Sequence, residues 1–179
     1  MLGARGLHFD RLPTLERHLE RMADEQCEEP GLSELDHGLQ CAAELKAAAP
    51  KDVELQIAGL LHDVAHGPAY AETHHLVGAE AIRGLLGDRV AQLVALHVEA
   101  KRYLVSTDPA YRARLSPVSI QTLALQGGDM SDEEVAAFEA QSAWRDGLML
   151  RRADEAAKTP GRVVPGLQAW LPILRDLGR

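Results

Sequence analysis

Apolar residues recur along this chain at three- and four-residue intervals, the spacing of one face of an α-helix, and nowhere settle into the strict alternation of a half-buried strand. The clearest stripe is Leu76, Val77, Ala81, Leu85 and Leu86 within HHLVGAEAIRGLLG, which Gly87 closes. Punctuation sets the other elements. Thr14 to Asp24 reads as a first helix, Ser33 to Ala48 as a second that ends before Pro50, and Lys51 to Ala65 as a third stopped by Gly67-Pro68. Asp88 caps DRVAQLVALHVEAKRYLV. Ser116-Pro117 puts a cap before a proline at the first helical position, and Ser131 with Glu134 forms a capping-box pattern. A long segment from Val135 to Ala157 runs toward Pro160, and Leu167 to Leu177 makes a short amphipathic helix. The expectation is an all-α, compact bundle of about seven or eight helices, one domain over residues 1–179.

Composition strengthens this reading. Aromatic residues are only 4% of the chain, and Val and Ile are scattered, so strand formers are scarce. With 179 residues the chain is long enough to bury one sizeable core. A net charge of −8 excludes a protein that works by broad neutralisation of nucleic-acid phosphates, leaving small molecules or proteins as partners. The longest uncharged apolar run, around IAGLL, is far too short for a membrane span, and MLGARGLHFDRLP lacks the apolar core of a signal peptide. Cys27 and Cys41 fit no zinc or redox spacing and read as free thiols. A soluble cytoplasmic protein with no membrane contact, monomeric in the simplest case, is the expectation.

Histidine placement changes the picture. LLHDVAHG puts His62, Asp63 and His66 at the end of an otherwise apolar segment; His37 follows SELD, His74 opens the fourth helix, His97 sits inside LVALHVEAK, and Asp154 lies in LRRADEAAK. One buried histidine is ordinarily a satisfied core residue. Several imidazoles with two carboxylates are another matter: buried without partners they would cost several kcal/mol each, against a total stability of about 5–15 kcal/mol. A bound cation removes that cost. Nitrogen and oxygen donors without cysteine suit iron, manganese, cobalt or catalytic zinc, and ligands from several helices can converge in a bundle core. Adjacent helical residues point about 100° apart, so His62 and Asp63 can flank one ion, and a carboxylate there can bridge two. Lys101, four residues after His97, shares its helix face and is a natural anchor for a substrate oxyanion. Arg102 reads as a solvated charge and Tyr103 as packing.

The order His37, His62-Asp63, a later histidine pair and Asp154 resembles the HD-domain superfamily. The block HVEAKRYL through QGGDM, followed by DGLMLRRADEAAK, is similar to the phosphonate-cleaving branch of the HD-domain mixed-valent di-iron oxygenases, relatives of myo-inositol oxygenase. The resemblance spans roughly residues 32 to 160, with the first and last helices packed on that core. It implies two iron ions, Fe(II)/Fe(III), with dioxygen as cosubstrate. His37, His62, Asp63 and Asp154 would hold one iron, and His74 and His97, with bridging Asp63, the other. His74 is chosen over His75 because the family pattern has a histidine three residues before Val-Gly. His66 would match a substrate-contacting histidine, and Lys101, Ser119 and Gln126 the residues that hold the phosphonate; Asp63, His66 and Lys101 are the catalytic set. The reaction implied is oxidative cleavage of a small 1-hydroxyphosphonate to a carboxylic acid and phosphate.

One departure bears on the substrate. Family members acting on the aminoethyl substrate carry a tyrosine and a glutamate upstream of the first histidine, where this chain has Cys27 and Pro30. Two competing readings stand beside the oxygenase. A metal-dependent HD-type phosphohydrolase acting on a phosphate ester or nucleotide shares every ligand. A non-catalytic helical module whose histidines fill polar niches would bind no metal.

Overall fold

The computed structural model describes residues 6–178. The stretch read above for a signal peptide begins in residues 1–5, which lie outside the described residues. The fold is all-α: ten helices and no strand among the described residues. They are α1 Leu12–Met22, α2 Glu34–Ala48, α3 Val53–Leu61, α4 His74–Leu86, α5 Asp88–Thr107, α6 Pro109–Arg112, α7 Pro117–Leu125, α8 Asp132–Glu139, α9 Trp144–Ala156 and α10 Leu171–Leu177. Three starts carry caps legible in the sequence, whereas Asp88, expected to cap the fifth helix, is its first residue, with Gly87 at the cap position and no side-chain cap. The Ser33 and Ser116 hydroxyls accept the amides of Asp36 and Ser119, and Ser131 and Glu134 close a reciprocal capping box.

Several elements differ from expectation: the first helix is shifted to Leu12–Met22, and the segment expected as one helix from Leu167 to Leu177 is a 3-10 turn, Leu167–Ala169, followed by a helix that begins at Leu171. The third helix stops at Leu61, because the His62 ring Nδ1 takes the Gly59 carbonyl at 2.8 Å that the next helical amide would have used. His62 is the C-cap of this helix, still with helical dihedrals, and Asp63 lies in the turn that follows. The segment from Val135 to Ala157 is two helices. It bends at Gln141–Ala143, where Gln141 donates to Glu99 and Trp144 packs on Tyr103 and Phe138. Asp108-Pro109 opens the short α6, the cap taking the amides of Ala110 and Tyr111.

Helix α5 is the spine, packed on α3, α4, α8 and α9, while α2 crosses α3 and α9. The core between them includes Leu45, Ile57, Leu61, Ile82, Leu93, Val94 and Leu150. Arg89 of α5 reaches Asp52 before α3, Glu54 on it and Asp146 on α9, tying three elements at one end. Two glycines set the approach of α2 to α3. A Cβ at Gly38 would lie 2.5 Å from the Leu60 carbonyl oxygen, and one at Gly59 would lie 2.4 Å from Leu45 Cδ1 and 3.4 Å from the Ala42 amide nitrogen. Because Gly38 and Gly59 lie beside His37 and His62, this contact also sets the distance between those imidazoles. Gly38→Ala is expected to destabilise the fold by about 1–3 kcal/mol through forced separation of the helices. Urea unfolding measures it, and an unchanged midpoint contradicts the close-contact argument.

Candidate metal centre and anion cleft

Four imidazoles from four places in the chain meet in pairs. His37 and His62 face one another with their Nε2 atoms 3.1 Å apart, and His74 and His97 do the same at 3.1 Å. Each ring's other nitrogen is turned to a backbone carbonyl: His37 Nδ1 to Ala157 at 2.9 Å, His62 to Gly59 at 2.8 Å, His97 to Val94 at 2.7 Å and His74 to Ala71 at 3.4 Å. A carbonyl only accepts, so Nδ1 carries the hydrogen and the neutral ring presents an Nε2 lone pair. Two lone pairs aimed at each other at 3.1 Å repel unless a proton or a cation lies between them.

Asp63 stands between the pairs. Its Oδ2 is 3.2 Å from His62 Nε2 and 3.6 Å from His37, while its Oδ1 is 3.3 Å from His74 Nε2 and 3.7 Å from His97. Asp154 Oδ1 adds a further oxygen, 3.2 Å from His37 and 3.7 Å from His62. Two groups thus share one carboxylate, each compact enough to hold a metal ion: His37, His62 and Asp63, and Asp63, His74 and His97. This donor set fits two hard-to-borderline dications with positions left open. The turn carrying Asp63 is held from outside by His18 on α1, whose Nε2 donates to the Val64 carbonyl at 2.7 Å.

The electrostatics agree with that donor chemistry. Burial would raise Asp63 and Asp154, but His62 and His74 beside the first, and Arg151 and His62 beside the second, outweigh it and hold both carboxyls well below the ordinary range. Burial and the neighbouring imidazoles keep His97 neutral, well below its ordinary value. For His62 burial is overcome by Asp63 and Asp154, which hold the ring well above its usual range. A site with two ionised carboxylates draws in a proton at His62 where no metal balances the charge, and a dication takes that proton's place.

The sequence-derived residues converge. His66, Lys101, Ser119 and Gln126 line the same cleft as His37, Asp63, His74 and His97, with Val98, Thr122, Arg151 and Lys158. Lys101, 3% exposed, donates to Thr122 Oγ1 at 2.7 Å and to Gln126 Oε1 at 3.1 Å; burial, joined by the nearby Arg151 charge, pushes its pKa down to about 8. Lys158 donates to the Ser119 hydroxyl at 3.1 Å. Arg151 is buried, bonded to Asp154, Glu155 and the Tyr111 hydroxyl. Two ammonium groups and a guanidinium on one wall make a cradle for a dianion. His75 stays out of the cluster: its ring centroid is 6.0 Å from that of His97, and its Nδ1 is buried with no hydrogen-bond partner among the described residues. Burial lowers its pKa to about 4.

Sequence reasoning missed Glu34, Thr122, Arg151 and Lys158. Helical spacing carried a signal for each. Glu34 precedes His37 by one turn, Thr122 follows Ser119 by one, and Arg151 and Lys158 lie three before and four after Asp154. At the mouth, Cys27, Glu28 and Glu29 lie on a loop stitched by the Gln26 amide, which donates to the carbonyls of Cys27, Glu29 and Leu32. Burial and the surrounding carboxylates push the Cys27 thiol up to about 11, so it remains a protonated thiol; Cys27 and Cys41 are both free. Pro30 is not among the lining residues. No helix among the described residues is long and apolar enough to cross a membrane.

Fold and site together define an all-α domain with a His/Asp metal-binding cluster. Residues 17–140 match the HD domain. A protein of Gimesia maris named hydroxymethylphosphonate dioxygenase is 37% identical over 150 residues, covering 78% of this chain and 74% of its own. A Leisingera caerulea protein named [1-hydroxy-2-(trimethylamino)ethyl]phosphonate dioxygenase (glycine-betaine-forming) is 31% identical over 168 residues, covering 88% and 85%. An uncharacterized protein, L432, of Acanthamoeba polyphaga mimivirus is 32% identical over 151 residues, covering 77% and 68%. The chain belongs to the HD-domain family and stands in the branch of it that holds these two dioxygenases.

Proposed function

We propose that this protein is an iron-dependent dioxygenase that cleaves the carbon–phosphorus bond of a small 1-hydroxyphosphonate, its chain forming one HD domain. The observation that carries the reading is a carboxylate, Asp63, set between two opposed imidazole pairs and beside a buried cationic wall. His37, His62, Asp63 and Asp154 would hold one iron, and His74, His97 and the other oxygen of Asp63 the second. Bound there, the two irons supply the activation of dioxygen and of the substrate's hydroxyl-bearing carbon. The relatives' names favour oxidative cleavage over the phosphohydrolase alternative.

The chain's own residues do the rest. Lys101, Ser119 and Lys158 receive the phosphonate oxygens, with Thr122 and Gln126 fixing the Lys101 ammonium in advance, so little ordering is left to the moment of binding. Arg151 sets Asp154 and adds positive charge to the wall. His66 closes the opposite side. The balance is R–CH(OH)–PO3²⁻ plus O2 giving R–COO⁻, HPO4²⁻ and one proton. Among the described residues no Phe, Tyr or Trp lines the cleft, so nothing there resembles the aromatic cage that recognises a quaternary ammonium. This supports a small substituent, of the hydroxymethylphosphonate size, over the trimethylammonium group.

Protein loaded anaerobically with Fe(II) and then given air should consume one O2 per phosphate released from hydroxymethylphosphonate, read by oxygen electrode and phosphate assay. Phosphate released from phosphate esters without oxygen consumption overturns the oxygenase reading. Metal loading has its own signature. Adding Fe(II) or Mn(II) anaerobically is expected to raise the melting temperature, and the gain should shrink as pH falls toward about 5, because ligation needs imidazoles that protons then claim. Scanning fluorimetry checks this, and a gain independent of pH speaks against histidine ligation.

A further inference from the structure

We propose that Glu34 is a positioning residue of the substrate site, acting through His66. This rests on reading the cleft as the place where the phosphonate binds. Glu34 is the first residue of α2 and only 4% exposed, a degree of burial that glutamate seldom reaches without paired partners. Its Oε1 accepts the His66 Nδ1–H at 2.6 Å, while its Oε2 is buried with no hydrogen-bond partner among the described residues. A carboxylate near a helix N-terminus gains from the helix dipole, but an exposed one gains as much without being stripped of water. The dipole therefore does not account for the burial. The bond to His66 does.

His66 needs the hold. It lies beyond the end of α3 in the turn that carries Asp63, just before Gly67, whose φ of 149° no side-chain-bearing residue adopts readily. Its ring stands edge-on to His74 at 5.3 Å between centroids, and its Nε2 is 3.9 Å from Glu28 Oε1 at the cleft wall. A second cavity, lined by Glu25, Gln26, Gly67, Pro68 and Ala71, shares Glu34 and His66 with the cleft. His66 therefore borders open space outside the cleft as well as within it. A carboxylate only accepts, so it fixes Nδ1 as the nitrogen turned to α2 and leaves Nε2 for the cleft; an alanine here would fix neither.

The test is a double-mutant cycle on iron-loaded protein with hydroxymethylphosphonate. Glu34→Ala should cost about ten- to a hundredfold in kcat/KM, as losses of an orienting partner do, with iron content unchanged. Glu34→Leu, which fills the volume without an acceptor, should match it, and Glu34→Gln, which keeps one acceptor oxygen, should recover most of the loss. In a His66→Ala background, Glu34→Ala should add less than about twofold. Losses that simply multiply across the cycle, or single variants with wild-type kinetics, overturn the proposal. If wild-type protein turns over no hydroxymethylphosphonate, the functional reading fails on its own. The same cycle is then read by calorimetry with inorganic phosphate as the probe. Coupling between positions 34 and 66 in phosphate affinity sustains the positioning role, and its absence removes it.

Discussion

Asp63→Ala is expected to empty the metal centre and abolish turnover. Among the described residues Asp63 is the one carboxylate that faces both imidazole pairs, with Oδ2 on the His37 and His62 side and Oδ1 on the His74 and His97 side. On the proposed reading, removing it would take a ligand from both ions and delete half of the carboxylate charge that would hold them. Iron should fall from about two ions per chain to nearly none, and kcat from hydroxymethylphosphonate by about a thousandfold or more, because the metal-dependent activation is lost outright. The metal-free fold should survive, since the change removes a buried charge without opening the main core. The loss would then show as disappearance of the metal-dependent rise in melting temperature. Asp63→Asn is the sharper variant. Its amide offers one oxygen and one NH2 group, so it should serve one ion and expel the other, leaving about one iron per chain. Full metal content in Asp63→Ala, by elemental analysis, would refute the bridging assignment.

If the proposed function holds, Lys101→Met should leave metal content unchanged and weaken substrate binding. Lys101 and His97 are one helical turn apart on α5 and equally buried, so the lysine stem packs where a methionine of similar length fits. What disappears is a buried ammonium already aimed by Thr122 and Gln126. Truncating one partner of a buried charge pair costs about 2–5 kcal/mol, so kcat/KM should fall by about 30- to 4,000-fold at unchanged iron content. The wild-type pH profile provides a second reading. Burial lowers the lysine pKa to about 8 in the substrate-free protein. Below that pH the ammonium form awaits the dianion; above it, the neutral amine must first recover a proton. KM should therefore rise by about tenfold per pH unit above the lysine pKa, and Lys101→Met should lose that limb. An unchanged profile in the variant would take Lys101 out of the anion site.

Much of the fold was legible because helix starts are local chemistry. Ser33, Ser116-Pro117 and Ser131 with Glu134 mark three of them, and each cap is in place. The end of α3 was not legible, since it depends on where one side chain, His62, sends its Nδ1. The bend at Gln141–Ala143 carries neither glycine nor proline; packing of Trp144 on Tyr103 and Phe138 makes it. The site divides the same way. The His62-Asp63 pair and the spaced histidines stand out by residue type alone. Glu34, Arg151 and Lys158 do not, because charged residues on helices are ordinarily solvated, and only the tertiary arrangement shows that they line a cleft.

The carbonyl contacts behind the four imidazoles bear on how this protein can change. Ala157, Gly59, Ala71 and Val94 hold the rings through main-chain oxygens, which no substitution removes. The centre's geometry is in that sense written into the backbone, whereas the mouth of the cleft is made of side chains on the Gln26-braced loop, which substitution can replace. Selection, natural or in the laboratory, can exchange the mouth to suit a new substituent on the substrate while the histidine frame keeps its shape.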